Sequence, residues 1–341
     1  MNETIPRLKA FVIRQRRNPV LATVFILVVL FVVFSLMSDR FLTWENMQNV
    51  TRSSSAVIIV GCAVTLVMIA RGLDLSVGST LAACAVLAAW LASNGIELWI
   101  SYLAAIALGC AIGALNAGII VGLRVTPIIA TLGTLNIARG IAYLITPSAI
   151  LVGLPLTWST VGTSSVIGIP VPVLVAVVTI VLFSWLLNST VFGRHVYAIG
   201  GNEEAARLAG VRVNRVLFSL YLMAGAAAGV AAIVLSSRLG SGDPNIGIGF
   251  EFDVIVAVIL GGTSLAGGQG RISGTVLGAL IVGFLSNGLN LVGVEPFWQY
   301  VAKGSALVVA VVLDRFASRQ RSSIREFAAA ATAPNKKGAL L

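Results

Sequence analysis

Charge is what this sequence has least of. Only 11% of its 341 residues are Asp, Glu, Lys or Arg, against 57% hydrophobic residues, and the mean hydropathy is +0.98. So few polar groups cannot clothe a water-facing surface around that much apolar side chain, which excludes an ordinary soluble domain and makes lipid the main solvent. Histidine is nearly absent: the single His195 lies beside Arg194 in a polar stretch, a surface position and not one suited to catalysis or metal binding. Cys62, Cys84 and Cys110 fall inside apolar runs without ligand spacing, so they read as small buried thiols and indicate neither a disulfide framework nor a zinc site. Acids do not cluster. That argues against a membrane-embedded enzyme handling metal or diphosphate, and a serine protease would need histidine and serine together at membrane depth.

What the chain does have is long apolar runs. Ten are long enough to count as candidates for crossing a ~30 Å hydrocarbon core: 20–37, 53–70, 77–93, 99–122, 125–145, 170–187, 216–237, 252–265, 272–293 and 297–313. The eighth is the shortest and reads either as a full span or as a tilted or re-entrant helix. Arg7, Lys9, Arg14, Arg16 and Arg17 precede the first run, which resembles a signal peptide. It lacks a small-residue cleavage site and more spans follow, so it reads as helix one.

The net charge of +10 is distributed along the membrane normal. With the N-terminus inside, Arg71, Arg124, Arg194, Arg207, Arg212, Arg215, Arg271 and the basic tail fall on that same side, leaving only Arg40, Arg52 and Arg238 outside. That bias predicts an even number of spans, N-in and C-in. The expected fold is therefore an all-α polytopic membrane protein of about ten transmembrane helices. A cytoplasmic basic N-terminus occupies 1–19, the transmembrane domain 20–313 with a cytoplasmic loop at 188–215, and a cytoplasmic tail 314–341. Arg139 and Lys303 fall within spans. Lys303 is close enough to an outer end to snorkel, whereas Arg139 lies deeper and needs an acid partner or a water-filled path. Among the 35 glycines, the pairs Gly109 and Gly113, Gly225 and Gly229, and Gly274 and Gly278 recur at helical spacing, which lets helix backbones approach closely in lipid.

The long inner loop is expected to carry a short helix. Gly200 and Gly201 break the chain, Asn202 can cap the first free N–H groups, Glu203 and Glu204 sit where the helix dipole favours acids, and Gly210 can close the far end. Two turns are not stable alone in water. The helix must dock on its own bundle or on a partner, to which Glu203, Glu204 and Arg207 would be offered.

The stretch 200–210, reading GGNEEAARLAG, resembles the coupling helix of the ribose-type permeases, the membrane subunits of monosaccharide ABC importers in the branched-chain amino acid/ribose permease superfamily. Three more blocks fit the same family in the same order: GLDLSVGS at 72–79, LGGTSLAGGQGR at 260–271 and NGLNL at 287–291. The loop is also similar to the EAA-plus-glycine signature of other ABC importer permeases through Glu204, Ala205, Ala206 and Gly210. It departs from it afterwards, because no Ile-x-Leu-Pro follows. The resemblance implies the ten-span ABC importer permease architecture in a bacterial cytoplasmic (inner) membrane. The chain would move a monosaccharide or sugar-like solute inward, and its coupling residues would be Gly201, Asn202, Glu203, Glu204, Ala205, Ala206, Arg207 and Gly210.

The implied partners are an ABC ATPase subunit, a periplasmic or extracellular sugar-binding protein, a second permease copy or related chain, and lipid, with no nucleic acid. No cofactor is implied for this chain; ATP and Mg would be bound by the ATPase. The glycine-rich run at 261–270 follows a membrane span and lacks the Lys-Ser/Thr of a phosphate-cradling loop, so it reads as a tight turn. Asp74 and Ser76 follow an interruption at Arg71 and Gly72. They either cap helix three, with Asp74 paired to a nearby arginine, or mark a gate. Asn116, Thr131, Thr134, Asn136, Asn287 and Asn290 are uncharged groups suited either to lining a sugar pathway or to bonding helices together. An ion-coupled secondary transporter is the rival reading. It would place an acid or proton relay near the midplane, a position for which only Asp74 qualifies.

Overall fold

The computed structural model describes residues 19–312 except 147–149, 296, 300, 306–307 and 310. The basic N-terminal segment, the tail, and parts of the tenth apolar run lie outside the described residues. The described chain is a helix bundle: α1 (Pro19–Met37), α2 (Trp44–Ile69), α3 (Val77–Ser93), α4 (Leu98–Ala117), α5 (Pro127–Ile145), α6 (Val171–Ser189), α7 (Val191–Gly201), α8 (Glu203–Leu208), α9 (Val213–Leu239), α10 (Phe250–Leu260) and α11 (Ile272–Leu291). A π-helical turn, Gly118–Gly122, prolongs α4. Six of these helices are long and apolar enough to cross a membrane: α2, α4 with its extension, α5, α6, α9 and α11.

Helix α2 is the axle. Every residue from Ser54 to Ile69 is buried, as expected of a helix that is apolar on all faces and therefore interior. It packs against α6, α9, α10 and α11. Helix α5, by contrast, buries only the stripe Ala130, Thr131, Thr134, Ala138 and Ala142. Its other face leaves Ile129, Leu132, Ile137 and Leu144 exposed, a surface that suits lipid or another apolar helix.

The glycine pairs do what their spacing predicts. A Cβ on Gly109 would lie 2.2 Å from the carbonyl oxygen of Gly225, and one on Gly225 would lie 2.0 Å from that of Gly109. Helices α4 and α9 thus cross backbone to backbone. In the same way, a Cβ on Gly278 would stand 1.9 Å from the Ala257 oxygen, where α11 meets α10.

One open reading is narrowed here and one expectation is corrected. The eighth apolar run forms an 11-residue helix, about 16 Å long at 1.5 Å per residue, and irregular backbone carries the chain on either side of it. Within a bilayer such backbone is tolerable only where protein covers it, and α10 is covered by α2 and α11. The loop expected to hold one short helix instead holds two, because α7 fills 191–201 before α8 begins. Gly200 and Gly201 are the last residues of α7, not a break.

Both cations placed within spans have partners. Arg139 donates through Nη1 to the backbone carbonyls of Pro244 (2.5 Å) and Ile246 (3.0 Å), and Glu251 and Asp243 are the acids near it. Lys303 does not simply snorkel: its Nζ lies 2.8 Å from Asp253 Oδ2.

At the end of the bundle opposite α8, the chargeless stretch after α5 is pinned by Trp158. Its Nε1 donates to Ser236 O (3.2 Å), while Ser237 Oγ donates to Trp158 O (2.5 Å) and accepts from Gly162 N (2.8 Å). A two-residue hairpin, β1 (Ser165–Val166) and β2 (Ile169–Pro170), closes it.

Candidate functional site

The expected short helix forms as its residues dictate. Asn202 Oδ1 accepts from Ala205 N (3.0 Å), capping α8, and Gly210 adopts φ 86° past its end, where a left-handed residue closes a helix without a Cβ penalty. Ala206 is buried and anchors the helix. Glu203, Glu204 and Arg207 point outward, with Glu203 Oε1 and Arg207 Nη2 paired at 3.0 Å. Both partners are about half exposed, so this pair contributes at most about 1 kcal/mol to the fold.

Leu208 is a member of this surface that the sequence reading missed. It is 85% exposed, an apolar side chain held in water at the rim of a charged helix. The available signal was a leucine four positions after Glu204, on the same face as that acid.

Three distant segments converge at the end of α7, just before α8. Arg71 donates from Nε to Gly200 O and from Nη2 to Gly201 O, each at 2.9 Å. Gly268 N donates to Ile69 O (2.8 Å), and Tyr197 Oη to Gly270 O (2.8 Å). Burial raises the Tyr197 phenol above its ordinary range, partly offset by the Arg271 charge, so it remains a neutral donor. The fit is tight: a Cβ on Gly200 would sit 1.8 Å from Ile69 O, whereas one on Gly201 would meet nothing within 4 Å. Gly200→Ala is therefore expected to destabilise the chain by about 1–3 kcal/mol through overpacking, while Gly201→Ala stays within about 0.5 kcal/mol. Thermal unfolding of the two variants in one detergent checks this, and equal midpoints would sink the packing argument.

Beyond Arg71 the backbone stays non-helical to Ser76. Asp74 and Ser76 are buried. Asp74 Oδ1 accepts from Ser76 N (2.9 Å) and Oγ (2.6 Å). Asn116 Nδ2 donates to Ser76 Oγ (2.8 Å), and Thr134 Oγ1 donates to Asn116 Oδ1 (2.5 Å). No basic side chain pairs with Asp74 among the described residues, so the expected arginine partner gives way to hydrogen-bond donors and the N-terminal dipole of α3. Ser76 occupies the N-cap position of α3 but makes no capping bond with its side chain, and Asp74 bonds Ser76 itself and not the first turn of the helix. This network ties the break between α2 and α3 to α4 and α5.

The remaining pathway candidates are placed elsewhere. Thr131 is buried beside the network, bonding Pro127 O (2.8 Å) and Leu73 O (3.5 Å). Asn287 exchanges reciprocal amide bonds with Asn46 on α2 (2.8 and 3.0 Å). Asn290 accepts from Gln299 (2.6 Å). Asn136 is exposed on α5 and, among the described residues, bonds only Leu132 O of its own helix (3.0 Å).

A cleft of about 690 Å³ opens beside the junction, between Arg71 and Gly72, Arg124, Glu203 and Arg207, and Asn214 and Tyr221 of α9. None of the pathway candidates lines it.

Bundle and junction define a polytopic helical membrane protein whose loop at 188–215 presents the helix pair α7 and α8. The chain belongs to the family described as "Branched-chain amino acid transport system / permease component", which matches residues 46–311. It is thus a permease component and not an enzyme. Among curated relatives it is 40% identical over 298 residues to the ribose import permease protein RbsC of Escherichia coli K12, covering 84% of this chain and 91% of that one. It is 41% identical to RbsC of Bacillus subtilis 168 (85% and 90%). To the L-arabinose transport system permease protein AraH of Escherichia coli K12 it is 37% identical (87% and 90%). No solved structure matches it.

Proposed function

We propose that this chain is the membrane-spanning permease subunit of an ATP-binding cassette importer that brings a monosaccharide or sugar-like solute into the cytoplasm. The observation that carries the reading is the junction: Ile69 and Arg71, which lead into the block at 72–79, meet Gly200 and Gly201 and the glycine loop of the block at 260–271 just where the exposed two-turn helix begins. Leu208, Glu203 and Arg207 offer a partner one apolar contact beside a pair of charges. An ATPase subunit that binds ATP and Mg docks on α8, and a separate binding protein delivers solute at the opposite end. Permease relatives whose names specify ribose and arabinose support the sugar class.

The α8 end carries Arg71, Arg124, Arg194, Arg207 and Arg271, and by the positive-inside rule this supports a cytoplasmic position for it, in the bacterial inner membrane that the family resemblance implies. With α3 and the first and tenth apolar runs counted beside the six long helices, and the eighth crossing as a half-helix, the topology is ten spans, N-in and C-in. A second copy or related chain completes the pathway. Asn136 supports this, since an exposed amide on an otherwise apolar helix face suits a helix partner or a solute better than lipid.

The test is co-purification with an ATPase subunit, with and without Glu203→Ala and Arg207→Ala together. The double variant is expected to fold normally, because the exposed pair adds little to stability, and to lose at least about tenfold in ATPase retention, a shift of about 1.4 kcal/mol. Undiminished retention would refute the docking assignment. Uptake driven by sodium or protons in vesicles holding this chain alone would favour a secondary carrier instead.

A further inference from the structure

Arg71 is the residue that joins the exposed helices to the buried break. Its two bonds reach the last two carbonyls of α7. Such terminal carbonyls have no partner inside their own helix and carry the negative end of its dipole. A planar guanidinium satisfies both at once through charge-assisted bonds. The fork is boxed in: Gly268 N is bonded to Ile69 O, and a Cβ on Gly267 would fall 2.3 Å from Arg71 Cγ. Displacement of α7 and α8 therefore cannot leave Arg71 in place without breaking two bonds or moving a packed glycine loop.

The Arg71 backbone points to the same role. Its φ of 65° lies in the left-handed region, where glycine would sit at less cost than any other residue. What arginine adds there is its side chain. From Arg71 the chain runs at once into the break. The Leu73 carbonyl accepts from Tyr221 Oη (3.4 Å) and Thr131 Oγ1 (3.5 Å), and Asp74 begins the network through Ser76 and Asn116 to Thr134. Few covalent bonds separate the helix-end tie from a polar network joining three helices.

We infer that Arg71 is a positioning residue for transport: its fork onto Gly200 and Gly201 carries movements of the α7–α8 pair into the break between α2 and α3. This rests on α8 being the ATPase-docking helix. In mechanical terms, the ATPase would act on the Asp74 network through one guanidinium.

The favourable backbone of glycine at this φ makes Arg71→Gly the decisive variant, because it removes the tie while easing the turn. Arg71→Lys is its companion, keeping the charge but presenting a single ammonium that cannot reproduce the planar fork. The experiment is hydrogen exchange on the complete complex with its ATPase, comparing the nucleotide-free state with ATP plus vanadate. In the wild type, exchange is expected to change both at 203–208 and at 72–76. In Arg71→Gly the change at 203–208 persists while that at 72–76 shrinks at least about fivefold, within the usual range of coupling between sites, and Arg71→Lys falls between.

Three results would overturn the inference: the two segments of Arg71→Gly still responding together, both responses vanishing with the complex, or a wild type in which 72–76 never responds. A wild type silent at 203–208 would instead refute the docking reading itself, and the inference with it. That failure is visible without any variant.

Discussion

Leu208→Asp is expected to lower ATPase retention and ATP-driven uptake by at least about 100-fold, roughly 2.7 kcal/mol, while leaving the permease folded. The side chain is 85% exposed in the isolated chain, so replacing it removes little that the bundle uses. In the proposed complex it is the apolar contact of a short charged helix. Full burial of a leucine is worth about 1.5–3 kcal/mol, and an aspartate in its place must also be desolvated without a partner. The measurement is pull-down of the ATPase with tagged permease, together with ATP-driven uptake by vesicles offered a panel of monosaccharides. Unchanged pull-down would show that α8 does not dock as proposed. A loss of folding, read as a lowered thermal midpoint, would show that Leu208 supports the bundle.

The second large effect concerns the bundle itself. Gly225→Val is expected to destabilise the chain by about 3 kcal/mol, the upper part of the usual overpacking range, and to cut the yield of folded protein sharply. A Cβ at this position would lie 2.0 Å from Gly109 O and 3.0 Å from Gly113 N. Both are backbone atoms, and no rotamer change can move them aside. Helices α4 and α9 would have to separate along their whole crossing. Gly118→Ala is the control: its Cβ meets nothing within 4 Å, its φ of −60° is helical, and alanine there is neutral or stabilising by up to about 1 kcal/mol. If both variants unfold at the same temperature, close backbone contact is not what holds α4 to α9.

The contrast between Gly225 and Gly118 shows how far sequence reasoning reached. Spacing alone singled out Gly109, Gly113, Gly225 and Gly229, since small residues four apart on an apolar helix have one dominant use in lipid. The cap at Asn202 and the stop at Gly210 were equally legible, because each depends on a few neighbouring residues. Helix α7 was not. Gly200 and Gly201 look like breakers, and only the close fit of Gly200 against Ile69 and Gly268 explains why glycine stands there at the end of a helix. Leu208 was passed over because exposure is a property of the folded surface. The partners of Arg139 and Lys303 were out of reach for a related reason: Pro244 and Ile246 offer backbone carbonyls, which no side-chain inventory reveals, and Asp253 lies fifty positions from Lys303.

Composition and local pattern by themselves determined that this protein lives in lipid, that it is helical, and that one short capped helix stands outside its spans. These follow from transfer free energies and from hydrogen bonds between near neighbours. Tertiary structure alone decided that Arg71, Gly200 and Gly268 share one junction. It also separated Asp74, Ser76, Asn116 and Thr134, which form a single network, from Asn136, Asn287 and Asn290. Contacts between residues far apart in sequence depend on how whole helices pack, and that packing is set by the shapes of many side chains at once.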